Sequence, residues 1–349
     1  MKETRSIPCP RCDYLAFTLL DLEVHGKRAH ERTDDRPGHV FGSVDHQEAQ
    51  PVEARWKTVG IGAGHPALAI PEPDPTFWVE PQVTKFLYAV GARTRRGAIV
   101  NVLLVGPTGS GKSSLPREFA ANWQRPFFTI HCQLITEQED WWGTREMSPE
   151  QGTYFRKAAL VDAVETPACV ILLDEANRTH PENLNSLFGF LDHRRSAWIP
   201  ALHREVAVAP GVAFFVTLNE GLDYVSTNPI DRALRDRISS TVRLDYLPVK
   251  METSLLVKRI GIDLETAGNL VEFARTVRKN PKLGAVISTR QLLECAALVK
   301  EGLSPQDAVL FAIVNGAMED CDRKAMLQSL QVVAGVDEAY VPRRRDEDE

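Results

Sequence analysis

"VGPTGSGKSS", residues 105–114, decides the fold class. It follows the apolar run "IVNVLLV" (99–105) and precedes "LPREFAANW", a helical pattern, so a strand passes into a helix through a glycine-rich loop. Gly106, Gly111, Lys112 and Ser113 fit G-x-x-x-x-G-K-[ST] in the strand–loop–helix context that this motif requires. The loop Gly106-Pro107-Thr108-Gly109-Ser110-Gly111-Lys112-Ser113-Ser114 is then a phosphate cradle. Its backbone N–H groups wrap the phosphates, Lys112 reaches the outer ones, and the Ser113 hydroxyl is a ligand for Mg²⁺. The loop alone leaves open whether the nucleotide donates a phosphate, acts as a timer or drives mechanical work.

Outward from the loop, short apolar runs alternate with helical patterns: "PFFTIHC", "ACVILLD", "GVAFFVTLN" and "TVRLDYL". Near-continuous Val/Ile/Leu/Phe strands separated by helices predict an α/β core with a parallel sheet covered on both faces. Ligands of such sheets bind at the carboxyl ends of the strands. "VILLDEANR" puts Asp174 and Glu175 there, Asp174 suited to hold Mg²⁺ and Glu175 to orient and deprotonate an attacking water. That second carboxylate favours a hydrolase over a small-molecule kinase. "FFVTLNE" ends another strand at Asn219, whose amide suits the γ-phosphate or the lytic water. Arg232, Arg235 and Arg237 in "IDRALRDRISS" are either a solvated helix face or the source of a guanidinium for a neighbouring subunit's phosphate site.

After Pro248 the pattern turns helical. Ala267, Leu270, Val271, Ala274 and Val277 form one buried stripe, "STRQLLECAALVKEG" a second helix, and "SPQDAVLFAIVNGAM" a third with Ser304 as N-cap and Pro305 in its first turn. Ser288 and Gln291 make a capping box, which sets Arg290 in the first turn of its helix. A cation there opposes the macrodipole by a few tenths to about 1 kcal/mol, so Arg290 is either matched to a bound phosphate or reaches into solvent.

The chain has 349 residues, enough for two domains and a small third, and 43% hydrophobic with 25% charged residues is an ordinary globular balance. A net charge of -6 argues against bulk coating of nucleic acid. The longest apolar runs fall far short of the ~20 residues of a spanning helix, and the N-terminus has no apolar signal region, so a cytoplasmic location is expected. Expected boundaries are a Cys/His cluster at 1–32, a linker at 33–75, the α/β domain at 76–247, a helical lid at 248–340 and a charged tail at 341–349.

Cys9, Cys12, His25 and His30 follow Cys-x2-Cys-x12-His-x4-His, a spacing that closes a tetrahedral Zn²⁺ site of the C2H2 finger type. The positions that would read bases in such a finger, Thr18, Asp21 and Val24, lack the usual bidentate donors. A protein-docking or structural finger is preferred to one that reads DNA.

Taken together, Walker A, the Asp174-Glu175 pair, Asn219 as sensor 1, "ALRDR" as finger region and "STR" as sensor 2 resemble an AAA+ ATPase of the MoxR branch. Within that branch the chain is most similar to the CbbQ/NorQ type and to the small ATPase subunit of cobaltochelatase. The resemblance implies an ATP- and Mg²⁺-dependent remodelling ATPase, a hexameric ring, and Arg237 as trans finger ahead of Arg235. It also implies a protein partner, often with a von Willebrand factor A domain, and a metalloenzyme or metal-insertion client. Ile238 follows the finger where the family carries an aromatic. "ITEQEDWWGTREMSPEQGTYF" matches the helix-interrupting insert and "AWIPALHREVAVAPG" a hairpin before sensor 1. Trp141, Trp142 and Tyr154 are expected to pack inside rather than face a pore, and His131 and Cys132 to be core residues. The alternatives are a DNA-associated motor or loader docked through the finger, and a P-loop kinase.

Overall fold

The computed structural model describes residues 7–8, 15–16, 68–148, 152–219, 232–280, 287–317 and 319–334. At the N-terminus β1 (Ile7–Pro8) pairs antiparallel with β2 (Leu15–Ala16). Cys9, Cys12, His25 and His30 lie outside the described residues, as does the charged tail.

The core domain begins with α1 (Pro81–Arg95), β3 (Val100–Gly106), α2 (Ser114–Asn122) and β4 (Phe127–His131). A hairpin of β5 (Gly143–Ser148) and β6 (Gly152–Lys157) then precedes α3 (Ala159–Glu165) and β7 (Val170–Asp174). Short helices α4 (Pro181–Asn185) and α5 (Phe188–Leu191) lead to a second hairpin, β8 (Ser196–Ile199) with β9 (Arg204–Ala207). The domain closes with β10 (Ala213–Asn219), α6 (Arg232–Asp236) and β11 (Ser240–Arg243).

Five strands form one sheet in the order β11-β3-β10-β7-β4, every pair parallel. Their residues alternate between two buried faces, as the two-residue period of a strand demands. Val102, Leu104, Leu172 and Phe215 pack under α1 and α2 through Leu87, Leu115 and Phe119. Leu103, Val105, Leu173 and Val216 pack on the other face against Leu160, Val164 and Phe190. Both faces being covered is why these strands read as unbroken apolar runs. Trp141 is fully buried and its indole N–H donates to Asn183 O at 2.8 Å, while Trp142 meets Phe190 edge-on at 5.6 Å. Both tryptophans are therefore packing, as expected; the side chain of Tyr154 is outside the described set.

Beyond the sheet come α7 (Val249–Ile260), α8 (Leu264–Arg278), α9 (Thr289–Lys300), α10 (Pro305–Ala312) and α11 (Asp320–Ala334). The expected stripe Ala267, Leu270, Val271, Ala274 and Val277 is buried, each Leu or Val contributing ~1.5–3 kcal/mol. Gly261, at φ 87°, ends α7, and Asp263, Ser288 and Ser304 cap α8, α9 and α10 through side-chain oxygens. No described helix is long and apolar enough to cross a membrane.

Candidate active site

A cleft of about 640 Å³ opens where the carboxyl ends of the strands meet the helical domain. Its floor is the loop from Thr108 to Ser114 with Asp174, Glu175 and Thr217, and its roof is Leu255, Arg259, Thr289 and Arg290. That volume suits a ligand of nucleotide size.

The loop's shape rests on glycine. Gly109 (φ 76°) and Gly111 (φ 88°) occupy the left-handed region, and a Cβ on Gly109 would lie 2.5 Å from the Ser288 Cβ. Lys112 is 6% exposed, and its Nζ donates to Gly106 O (2.9 Å) and Pro107 O (2.7 Å). Burial pushes its ammonium down to about 8, with the charges of Asp174 and Glu175 pulling the other way. Ser110 Oγ is buried without a hydrogen-bond partner among the described residues. Ser113, before α2, makes no side-chain cap bond, and within the first turn the Leu115 N–H donates to Gly111 O at 2.9 Å.

The Ser113 hydroxyl instead donates to Asp174 Oδ1 at 2.7 Å, and the Thr217 hydroxyl donates to the same oxygen at 2.6 Å. A hydroxyl and a carboxylate converging at the phosphate loop is a hard-oxygen donor set that fits Mg²⁺. Asp174 faces α2 because it continues the Val170–Leu172 side of its strand.

Glu175 turns the chain at the end of β7 with φ 52° and ψ 50°, a conformation that costs a non-glycine residue energy and clusters at functional sites. Its N–H donates to Thr217 Oγ1 (2.8 Å), and its carboxylate pairs with Arg178 Nε at 2.8 Å. Thr217 and Arg178 are site residues that sequence reasoning missed. Thr217 had a signal, since it lies two residues before Asn219 and so on the same strand face. Asn219 ends β10 in register with Gly106, which brings its backbone beside the loop.

His131 requires a correction. It was expected in the core, yet its side chain is 56% exposed and its Nδ1 lies 3.5 Å from Asp174 Oδ2. As the last residue of β4, paired with Asp174, it has run past the covered part of the sheet. Cys132 is buried as expected, and burial foremost raises its thiol pKa far above the ordinary value.

Arg290 sits in the first turn of α9, exposed and lining the cleft, with the Ser288–Gln291 capping box formed. Arg235 and Arg237 do not line it. Arg235 is exposed; Arg237 lies 4.3 Å over the Phe188 ring, donates from Nη1 to Ala233 O (2.7 Å), and has a buried Nε without a hydrogen-bond partner among the described residues. Asn101, buried in β3, holds the segment by donating to Arg237 O at 2.7 Å.

A parallel sheet of this order, a phosphate loop after an interior strand, an acidic pair on the next strand but one and a helical roof define an AAA+ P-loop ATPase. Residues 101–238 match the AAA domain of the dynein-related subfamily, and residues 252–334 match the CbbQ/NirQ/NorQ C-terminal domain. A putative chaperone, BssE of Thauera aromatica, is 36% identical over 245 residues, 70% of this chain and 84% of that protein. The denitrification regulatory protein NirQ of Stutzerimonas stutzeri is 26% identical, over 66% of this chain and 84% of that one. Among solved structures, the Thermotoga maritima RuvB Holliday junction branch migration motor matches with a TM-score of 0.46 and 19% identity, covering 77% of this chain and 76% of that one. The chain belongs to the MoxR-type CbbQ/NirQ/NorQ family of AAA+ ATPases and is an ATP hydrolase.

Proposed function

We propose that this ATPase works as one subunit of a hexameric ring that remodels a partner protein, each active site being completed by the neighbouring subunit. The observation that carries this reading is the separation of the arginines. Lys112, Ser113, Asp174, Glu175 and Arg290 share one cleft, whereas Arg235 and Arg237 stand outside it.

In the proposed cycle Lys112 exchanges the Gly106 and Pro107 carbonyls for phosphate oxygens. Ser113 and Asp174 hold Mg²⁺, which when bound neutralises phosphate charge. Glu175 orients the attacking water and takes its proton, Asn219 aligns that water, Arg290 meets the γ-phosphate, and Arg237 of the next subunit, rather than Arg235, stabilises the charge that develops. Hydrolysis moves the helical lid (248–340) on the α/β domain (76–247).

The client is proposed from family likeness: a metalloenzyme or a metal-insertion machine, reached through a partner with a von Willebrand factor A domain, in the cytoplasm. We also propose that Cys9, Cys12, His25 and His30 bind Zn²⁺ in a finger that docks protein; the β1–β2 pair on either side of the two cysteines supports a finger hairpin.

Mixing two inactive variants tests the shared site. Glu175→Gln is expected to bind ATP without hydrolysing it, and Arg237→Ala to be inactive alone. Together they are expected to regain turnover, because some interfaces then carry an intact arginine and an intact glutamate. Absence of rescue at every mixing ratio, measured by phosphate release, sinks the ring reading.

A further inference from the structure

One chain of contacts from the phosphate loop into the helical domain runs through Tyr246, Arg278 and Glu252, residues outside every motif. Tyr246, in the connection between β11 and α7, donates its hydroxyl to Thr108 O at 3.3 Å. The guanidinium of Arg278, at the end of α8, lies 3.8 Å over the Tyr246 ring. Arg278 binds both oxygens of Glu252, at 2.8 and 3.0 Å, and donates from Nε to Ile287 O at 2.7 Å. Glu252 is fully buried and also accepts from the Thr289 hydroxyl at 2.7 Å.

All three groups of the guanidinium are therefore engaged: Nε with Ile287 O just ahead of α9, and the other two with Glu252 of α7, which in turn accepts from Thr289, the first residue of α9. Ile287, Ser288 and Thr289 immediately precede Arg290, and Ser288 rests against Gly109 of the loop. The first turn of α9 is held from below by the phosphate loop and from behind by a buried carboxylate. Burying an ion pair is a poor way to gain stability, since well-packed apolar residues of similar volume often do as well or better. What such a pair adds is direction, because a planar two-point contact sets both the position and the rotation of the helix start.

We propose that Tyr246, Arg278 and Glu252 are positioning residues for ATP hydrolysis. They couple the phosphate loop to the start of α9 and thereby aim Arg290; they act through that arginine rather than on the phosphates. The inference rests on the reading of Arg290 as the group that meets the γ-phosphate.

The test uses the full chain with Arg290→Ala, Tyr246→Leu and Arg278→Lys, the latter two also combined with Arg290→Ala, and urea unfolding to confirm folding. The lysine keeps a charge beside Glu252 but loses the planar fork and the stacking. Tyr246→Leu and Arg278→Lys are each expected to lower kcat about tenfold, with a much smaller change in the KM for ATP. Residues that act through one group are non-additive, so neither change should lower kcat further once Arg290 is alanine. An undiminished tenfold drop in the Arg290→Ala background would overturn the proposal, as would wild-type kcat in folded Tyr246→Leu. If Arg290→Ala itself turns over like wild type, the reading of Arg290 falls and takes the proposal with it. Should Arg278→Lys fail to fold, Tyr246→Leu decides alone, since it leaves the buried pair intact.

Discussion

Two cations are buried in the core domain at opposite ends of the same sheet, Arg125 where strands begin and Lys112 where one ends. Their environments look alike: Arg125 is 4% exposed, and burial pushes its guanidinium down to about 9 as it pushes the Lys112 ammonium down to about 8. Their partners differ. Arg125 donates to Ala168 O (2.6 Å), to Thr94 Oγ1 (2.9 Å) and to Gly211 O, groups 43, 31 and 86 residues away that meet only because α1, β7 and β10 meet. Lys112 donates to carbonyls 6 and 5 residues away in its own loop. Arg125 ties distant segments together, with each of its three nitrogens engaged. Lys112 is parked on contacts within its own loop, so in the proposed cycle one buried cation is structural and the other exchanges its carbonyls for phosphate.

Substitution at both positions is the sharpest way to break this contrast. Lys112→Met is expected to cut turnover by about a thousandfold, equivalent to ~4 kcal/mol of transition-state stabilisation. Its urea midpoint should fall less than that of Arg125→Met, because removal of the desolvated ammonium offsets the loss of its two hydrogen bonds to Gly106 O and Pro107 O. Arg125→Met is expected to do the reverse and lose roughly 3 kcal/mol of unfolding free energy, since buried acceptors left unpaired cost ~1–3 kcal/mol each. The folded fraction should still bind nucleotide; a wild-type midpoint would show that Arg125 ties nothing.

A buried anion extends the comparison with a smaller effect. Glu118, on α2, is 5% exposed and accepts from the Asp74 N–H at 3.0 and 3.1 Å, which pins the segment lining the cleft. Burial, with the Asp74 charge adding to it, raises its carboxyl above the ordinary 4.5, against the lowering effect of that hydrogen bond. The folded protein then holds this proton at pH values where the unfolded chain has lost it. The group's stabilising contribution is therefore complete below pH 4.5 and is lost as pH rises through the folded value. Glu118→Gln, which cannot ionise, should flatten that decline in urea midpoint. A slope identical to wild type would show that Glu118 is not the group responsible.

The elements legible in sequence are those whose signal is local. The phosphate loop and the acidic end of β7 are contiguous motifs, the strands are unbroken apolar runs, and α8, α9 and α10 announce themselves by stripe or cap. Helix α7 was not singled out because its inward stripe is polar at two of three positions, Glu252 and Thr253 beside Leu256. Its apolar positions, Val249, Leu256, Val257 and Ile260, are interrupted by that polar pair. The polar face makes sense only once Arg278 and Thr289 are brought against Glu252 by α8 and α9.

His131 was misplaced for a related reason. An apolar run implies a covered strand, but where the cover stops depends on how far β4 extends beside β7 and not on the run itself. Thr217 reaches Asp174 across 43 residues through the register of β10 on β7, and Tyr246 reaches Thr108 across 138. The sequence by itself determined the loop that binds phosphate, the acidic pair, the parallel α/β architecture and the capped helices, because each follows from spacing within a few residues. Only the tertiary structure decided which buried cation ties distant segments together, which side chains hold Asp174 and Glu175, and what the start of α9 rests against. Those depend on sheet register and domain docking, which bring together groups that no local pattern connects.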